Sequence, residues 1–456
     1  MNIPAVSASL PPLFAIRFPL ESGHPIDPFA LAGDTGILFH SESRVLVGSG
    51  PMWTIALPGG LGSPADVRRA GASLASVECE DLVLARGSGV IGFGAHPFDS
   101  SAPAVLMLPA VTYAREVDGQ EWMTVVADDR ASLPSSRDQQ RQLLERLLEP
   151  GEKAPIPGGT TVASSIEPLT SDDHFRTMVA RSVEAIHRHD LVKVVLARHV
   201  EVSMVDPIAV SDLLSRWGRL EPNCVLFSMP TSGGQFVGAS PELLVDRSGS
   251  DIRCRPLAGT TERFAETSSG TLASELLESS KDSVEHQLVV DAIKEQLDPL
   301  CSVLIVPIHP DLVHLHNITH LGTSISGSLN LTRDGSVPTS LELVAALHPT
   351  PAVGGVPAEA ARRMIAELEP RSRGTYAGPV GYVDACGDGT WMVGIRAMTV
   401  RDRSARLSAG VGIVEGSQPD TELAEANLKF TAVFDALAPG QPFSTTQGTE
   451  PQAAAV

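Results

Sequence analysis

Positive charge is scarce in this sequence. It has 34 Lys and Arg residues against 54 Asp and Glu residues, so its formal net charge is −20. Proteins that bind nucleic acid or an anionic membrane surface use clustered basic residues to neutralise phosphates. We therefore expect no nucleic acid partner and no membrane partner, and an anionic substrate would need cations gathered at one site.

Cysteines and long apolar runs are also scarce. The five cysteines are spread along the chain without a CxxC pair, which is typical of thiols in a reducing compartment. No run approaches the roughly 18 apolar residues of a membrane span. The first residues, from Met1 to Val6, lack a basic segment leading into an apolar one. These absences predict a cytoplasmic protein.

The composition that remains is that of a large folded protein. Hydrophobic residues make up 43% of the chain and charged residues 19%, and the 40 glycines and 35 prolines predict many turns. Strand-like segments such as 192–197 and 391–400 alternate irregularly with a few long helical segments such as 137–148 and 419–436. Without regular βα alternation, the pattern predicts an α+β fold with large antiparallel sheets.

Composition also divides the chain into parts. Residues 1–150 predict short strands broken by Gly and Pro turns, and a Pro- and Gly-rich connection at 149–157 is the best candidate boundary. Residues 165–436 contain the longer helices and the motifs described below. The tail, residues 439–456, is predicted to be disordered.

Two local motifs have ordinary explanations. Residues 87–92 match the GxGxxG dinucleotide fingerprint, but Pro97 and the preceding glycines make a poor start for the helix that a pyrophosphate site needs. His314, His316 and His320 have no adjacent Cys or carboxylate, which favours structural or substrate-contacting histidines over a zinc site.

Two short acidic segments point more clearly to chemistry. The first contains Asp282 and Glu285, and the second contains Glu422 and Glu425. The i, i+3 spacing puts each pair on one face of a helix. Two such faces brought together would form an oxygen-rich site for a hard cation such as Mg²⁺. For either segment alone, a solvated helix surface is the more common explanation.

Three isolated charges lie within apolar, strand-like segments. Lys193 has the properties of an edge-strand lysine or of a partly desolvated general base. Glu242, after Pro241, is either an ordinary helix-start acid or a carboxylic acid with a raised pKa that donates a proton. Arg396 either forms a buried ion pair or binds a substrate carboxylate. Together with the two acidic faces, they suggest one polar cavity.

The same residues lie in a series of ordered motifs that resembles the chorismate-utilising enzymes, most closely the isochorismate synthases. The resemblance covers about residues 165–436. Its motifs are KVVLAR (193–198), VGASPELLV (237–245), RPLAGTTER (255–263), SKDSVEH (280–286), HLGTSISGSL (320–329), LHPTPAVGGVP (347–357), RGTYAGPVGY (373–382), VGIRAM (393–398) and GVGIVEGSQPDTELAEANLK (410–429).

The resemblance implies a fold and a metal site. The expected fold has two antiparallel sheets packed face to face over the active site, with helices outside, in an α/β sandwich. Glu285 and Glu425 would hold Mg²⁺, which anchors the carboxylate of chorismate. Asp282 and Glu422 would contribute directly or through water.

The resemblance also implies residue roles. Lys193 would activate a water that attacks ring carbon C2, and Glu242 would protonate the departing C4 hydroxyl. Tyr376 and Arg396 would bind the carboxylate of the enolpyruvyl side chain. The remaining substrate-binding positions would be Gly259, His320, Ala352, Gly412 and Lys429.

Three positions distinguish the relatives from one another. Relatives that use ammonia usually lack the lysine found here at Lys193, so no glutaminase subunit is expected. Aminodeoxychorismate synthases carry a lysine in the place of Ala258, and salicylate synthases tend to carry threonine in the place of Ala352. These residues favour a reversible isomerase that stops at isochorismate, for menaquinone or siderophore synthesis. The alternatives are a salicylate synthase and a non-catalytic chorismate-binding protein, and we expect a monomer.

Overall fold

The computed structural model describes residues 10–20, 26–83, 89–148, 161–262, 276–277, 279–332 and 335–444. The predicted boundary at 149–157, part of the 87–92 motif and residues 445–456 of the predicted tail lie outside the described residues. Within the described ranges, no helix is both long enough and apolar enough to cross a membrane.

Strands account for most of the regular structure. They are β1 (Phe14–Pro19), β2 (Ile37–His40), β3 (Arg44–Leu57), β4 (Glu78–Asp81), β5 (Ile91–Ala95), β6 (Ala104–Glu116), β7 (Glu121–Ala127), β8 (Ala163–Pro168), β9 (Lys193–Met204), β10 (Val225–Thr231), β11 (Gly234–Ser240), β12 (Leu243–Ser248), β13 (Asp251–Arg255), β14 (Leu257–Glu262), β15 (Cys301–Ile305), β16 (Asp311–His314), β17 (Ile318–Gly322), β18 (Ile325–Leu329), β19 (Gly355–Val356), β20 (Pro379–Asp384), β21 (Gly389–Val393), β22 (Ala397–Arg401) and β23 (Ser404–Ile413).

Helices connect the strands irregularly. They are α1 (Pro28–Ala32), α2 (Pro64–Ala75), α3 (Arg137–Leu148), α4 (Asp172–His187), α5 (Val210–Leu220), α6 (Ser280–Leu297), α7 (Ser340–Leu347), α8 (Ala358–Leu368) and α9 (Pro419–Leu437), with short 3₁₀ turns at Arg130–Ser132 and Asp298–Leu300.

The strands form two long antiparallel runs. One run follows the pairings β7–β6–β3–β2–β10–β11–β22–β23–β9–β8. The other follows β5–β20–β21–β12–β13–β18–β15. They join where Phe93 of β5 pairs with Met107 of β6. Among the described strand pairs, β1 and β4 alone run parallel.

The layers are visible in the packing of the core. One cluster takes side chains from both runs, including Phe39, Phe227, Phe93 and Met392, so it lies between them. A second cluster packs α5 and α9 on the first run, and a third packs α2, α6 and α7 against the second. The predicted α+β fold, with antiparallel sheets face to face and helices outside, is therefore confirmed.

One predicted strand needs correction in detail. The segment 391–400, predicted as one strand, is two strands separated by a break in which Arg396 has a positive φ of 49°. The N-cap of α9 is Gln418, whose side chain makes no capping hydrogen bond, and Ser417 before it accepts a hydrogen bond from the N–H of Val414 at 3.1 Å.

The fold brings distant segments to one place. β9 begins at Lys193 and pairs with β23, so that Val195 lies opposite Gly412. A separate three-stranded sheet, β14–β17–β16, places Thr260 opposite His320. The first two turns of α6 and α9 carry the two acidic segments.

Candidate active site

A buried ion pair joins Lys193 to Glu285. The Lys193 side chain is fully buried, and its Nζ lies 2.9 Å from Oε1 of Glu285. Burial alone would raise the pKa of Glu285, but Lys193, with the more distant Lys429 and Lys281, lowers it below its ordinary value. Gly412 makes room for this pair, because a Cβ there would lie 2.2 Å from Oε1 of Glu285.

Glu242 is a buried carboxylic acid in the same place. It lies between β11 and β12 and is 3% exposed. Burial raises the pKa of Glu242 to about 8, although a hydrogen bond from the Leu257 N–H and the cations Lys193, Arg396 and Lys429 act in the opposite direction. At neutral pH this group therefore carries a proton that it can donate.

Arg396 is positioned by a histidine. Its Nη2 lies 2.9 Å from Nε2 of His320, whose Nδ1 lies 2.9 Å from the carbonyl oxygen of Gly259. Since the guanidinium only donates, the histidine Nδ1–H donates to Gly259 and its Nε2 accepts from Arg396. Burial and then Arg396 hold the pKa of His320 well below its usual range. Nε of Arg396 is buried without a hydrogen-bond partner in the described part of the chain, so it can donate to a ligand.

All seven predicted substrate-binding positions line one cavity. Its walls include Glu242, Gly259, Glu285, His320, Ala352, Tyr376, Arg396, Gly412, Glu425 and Lys429. Burial raises the pKa of Tyr376 to about 12, so this side chain remains a neutral phenol. Lys193 reaches the cavity through its ion pair with Glu285, whereas Asp282 and Glu422 lie outside the cavity wall.

A larger groove of about 550 Å³ elsewhere is a weaker candidate. Most of its charged side chains already form close pairs, for example Arg44 with Glu116 and Arg247 with Asp388, at 2.5 and 2.6 Å. The smaller cavity brings a buried acid with a raised pKa, Glu242, together with the buried Lys429 and Arg396, which is the chemistry expected of an active site.

Comparison with known proteins assigns the family. The family model for chorismate binding enzymes matches residues 84–438. The chain belongs to the chorismate binding enzyme family. The Mycobacterium tuberculosis protein named MenF is 38% identical over 427 residues, which cover 91% of this chain and 97% of that protein. The isochorismate synthase EntC of Escherichia coli is 34% identical over 75% of this chain and 80% of its own length.

Solved structures agree with the family assignment. The menaquinone-specific isochorismate synthase MenF of Escherichia coli superimposes with a TM-score of 0.76 and 25% identity, over 95% of this chain and 96% of that chain. Anthranilate synthase component I of Streptococcus pneumoniae has a TM-score of 0.68 at 22% identity, over 86% of this chain and 92% of its own. The second likeness shows the fold alone.

The carboxylates that the family resemblance assigns to Mg²⁺ lie close enough to interact. Burial, together with Glu285 and Glu425, raises the pKa of Asp282, while a hydrogen bond from the Ser279 hydroxyl opposes the shift. Burial and then Glu425 raise the pKa of Glu422. Neighbouring carboxylates repel one another when they are charged. A divalent cation that prefers oxygen ligands, such as Mg²⁺, would relieve this repulsion.

In this conformation, other side chains of the protein already contact these four carboxylates. Within the described ranges, no three His, Cys, Asp or Glu side chains are arranged to hold a metal ion. However, Oε2 of the fully buried Glu422 has no hydrogen-bond partner in the described part of the chain. Donor type, charge and this free oxygen fit Mg²⁺, so Glu285, Glu425, Asp282 and Glu422 would hold it after some side-chain movement.

Lys281 belongs to the site as well, although it was not among the residues predicted from the sequence. Its Nζ lies 2.9 Å from Oε1 of Glu422, on the other acidic helix. A lysine directly before Asp282, in a chain poor in positive charge, could have indicated this role. Its partner Glu422 lies 141 positions away, so local spacing could not predict the contact.

Proposed function

We propose that the protein is an isochorismate synthase that converts chorismate to isochorismate reversibly. The observation that carries the proposal is a buried acid at the cavity, Glu242, whose pKa is raised to about 8, together with a buried lysine, Lys193, that contacts the cavity residue Glu285. Isochorismate formation needs such a pair, because a water must lose a proton while a hydroxyl leaves with one. The identity to EntC of Escherichia coli supports the same function.

The proposed reaction balances as an allylic exchange of oxygen. Lys193 takes a proton from a water whose oxygen bonds to C2, the ring double bonds shift, and the C4–O bond breaks. Glu242 gives its proton to the departing hydroxyl, which leaves as water. Lys193 ends as an ammonium and Glu242 as a carboxylate, so exchange with solvent restores both and the reverse reaction follows the same route.

Charge must be rearranged before Lys193 can act. Its Nζ contacts a carboxylate oxygen of Glu285 at 2.9 Å. The amine can accept a proton from water only when its contact with Glu285 is released in the reacting complex. When bound, Mg²⁺ would neutralise charge on the substrate carboxylate and on these acidic side chains.

Arg396 and Tyr376 are the groups we propose for the enolpyruvyl carboxylate. Nε of Arg396 has no hydrogen-bond partner in the described part of the chain, and His320 holds the other end of the guanidinium. Lys429, whose Nζ lies 2.6 Å from Glu425 and 2.9 Å from the carbonyl of Gly410, adds positive charge. These cations compensate locally for a strongly acidic protein. We also propose that the protein is a cytoplasmic monomer that acts without a glutaminase subunit.

Product analysis tests the proposed function directly. Purified protein incubated with chorismate and Mg²⁺ is expected to form isochorismate, and the same final mixture should form from isochorismate. The products are separated by chromatography, with an EDTA-treated sample as the control. Salicylate and pyruvate as main products would make the protein a salicylate synthase instead. Chorismate binding without any product would indicate a binding protein.

Replacing Gly412 by alanine should reduce kcat/KM for chorismate by about a hundredfold, because misplacement of about 1 Å at a reacting centre has effects of this size. The new Cβ would lie 2.2 Å from Oε1 of Glu285 and 3.3 Å from Cε of Lys193, so the ion pair would have to separate. Steady-state kinetics measure the effect. Gly416→Ala is the matched control, since its Cβ would meet nothing within 4 Å. Equal activity in both variants would contradict the assigned site.

A further inference from the structure

Lysine side chains pair with three of the four carboxylates assigned to the metal. Each pair joins an ammonium nitrogen to one carboxylate oxygen at hydrogen-bond distance. The pairs are Lys193–Glu285 at 2.9 Å, Lys281–Glu422 at 2.9 Å and Lys429–Glu425 at 2.6 Å. The protein thus supplies internal counterions for this acidic site.

Lys281 differs from the other two lysines. Lys193 and Lys429 already have proposed roles at the substrate cavity, whereas Lys281 is absent from the cavity wall. The Lys281 side chain is 37% exposed, while that of Glu422 is fully buried. This ion pair connects the first turn of α6 to the first turn of α9. It therefore bridges the two helices that carry the acidic segments.

The environment of Glu422 explains why a counterion is needed there. The carboxylate is completely buried, the carboxylate of Glu425 lies about one turn further along the same helix, and Oε2 of Glu422 has no hydrogen-bond partner in the described residues. A buried charge without a partner is strongly destabilising. The Lys281 ammonium offsets that effect and the repulsion between the two helix faces.

A divalent cation at the same carboxylates would oppose the ammonium. Like charges a few ångströms apart repel strongly in a partly buried site. Lys281 is partly exposed, so its long side chain can turn into solvent and be hydrated there. Lys193, which is fully buried, does not have this freedom.

We propose that Lys281 is the counterion of Glu422 in the metal-free protein and that Mg²⁺ displaces it, so that Lys281 weakens and thereby sets the affinity for the metal. This inference rests on the proposed function, which supplies the metal. It assigns Lys281 a positioning role: the ammonium holds the two acidic helices together until the cation takes its place.

Isothermal titration calorimetry of metal-free full-length protein with Mg²⁺, without substrate, tests the proposal. Lys281→Met should bind Mg²⁺ about tenfold more tightly than the wild type, since a charge-assisted contact that competes with the metal is removed. The metal-free variant should also unfold at a lower temperature. Saturating Mg²⁺ should raise its Tm more than that of the wild type, because tighter binding stabilises more.

Lys294→Met is the matched control. Lys294 lies on the same helix, is exposed and has the same charge, so this variant measures the general effect of removing one positive charge. Three outcomes would overturn the inference: unchanged or weaker Mg²⁺ binding by Lys281→Met, an equal gain in Lys294→Met, or no Mg²⁺ binding by any of the proteins. A lower Tm without a change in affinity would mean a purely structural ion pair.

Failure of this inference and failure of the proposed function are distinguishable. If the wild type converts chorismate to isochorismate but Lys281→Met binds Mg²⁺ no more tightly, the role of Lys281 is wrong and the function stands. If Lys281→Met binds Mg²⁺ more tightly but the wild type forms no isochorismate, the counterion role stands and the assigned reaction is wrong.

Discussion

Replacing Lys193 by glutamine is expected to lower kcat for isochorismate formation by about 10³-fold. Glutamine is polar and similar in length, but it cannot accept a proton from water, and loss of a general base has effects of about 10² to 10⁴. Its amide can still donate a hydrogen bond to Glu285, which lies 2.9 Å from the lysine nitrogen. Binding of chorismate, measured by calorimetry with Mg²⁺ present, should change much less than kcat.

A second variant separates the proton transfer from the ion pair. Lys193→Arg keeps a positive charge beside Glu285, yet a guanidinium does not deprotonate in a protein. We expect it to be as inactive as Lys193→Gln. Thermal unfolding shows whether a loss of activity comes instead from a less stable protein, because the buried Glu285 carboxylate of the glutamine variant lacks a full charge partner. If the glutamine variant folds and turns over chorismate within tenfold of the wild type, Lys193 is not the base.

The helices and most strands of the site region could be predicted from sequence because their signals are local. The apolar periodicity of 137–148 and 419–436 corresponds to α3 and α9, and α9 begins at Pro419, a residue whose fixed φ suits the first turn of a helix. The break between β21 and β22 could not be predicted. Arg396 lies in a uniformly apolar stretch, and its positive φ depends on tertiary contacts such as the hydrogen bond from the Ala239 N–H to its carbonyl at 3.0 Å.

The pairing of charges was less predictable than their positions. Spacing of i, i+3 indicated that Asp282 and Glu285 share a helix face, and that needs no tertiary information. The contact of Glu285 with Lys193 joins α6 to β9 and depends on the packing of the whole sheet. Gly412 was predicted from the family resemblance alone. The physical reason for a glycine at this position is the space taken by the Glu285 carboxylate, which is visible only in three dimensions.

Replacing Glu242 by glutamine should also lower kcat by about 10³-fold, and it tests the other half of the mechanism. The acid form is required, and burial raises the pKa of Glu242 to about 8. The protonated fraction is nearly complete at pH 7 and falls as pH rises through that value. Hence kcat/KM of the wild type should decrease above about pH 8, approaching tenfold per pH unit.

Glutamine preserves the shape of the side chain and an oxygen for the Leu257 N–H, but its amide is far too weak an acid to protonate a leaving hydroxyl. The residual rate of Glu242→Gln should therefore show no fall near pH 8, while Glu415→Gln, the same change at an exposed position, should keep the wild-type rate and profile. A decrease near pH 8 that persists in Glu242→Gln would assign the titration to another group. Loss of rate together with loss of that pH dependence would leave Glu242 as the proton donor, because a merely structural carboxyl would change the rate without changing the profile.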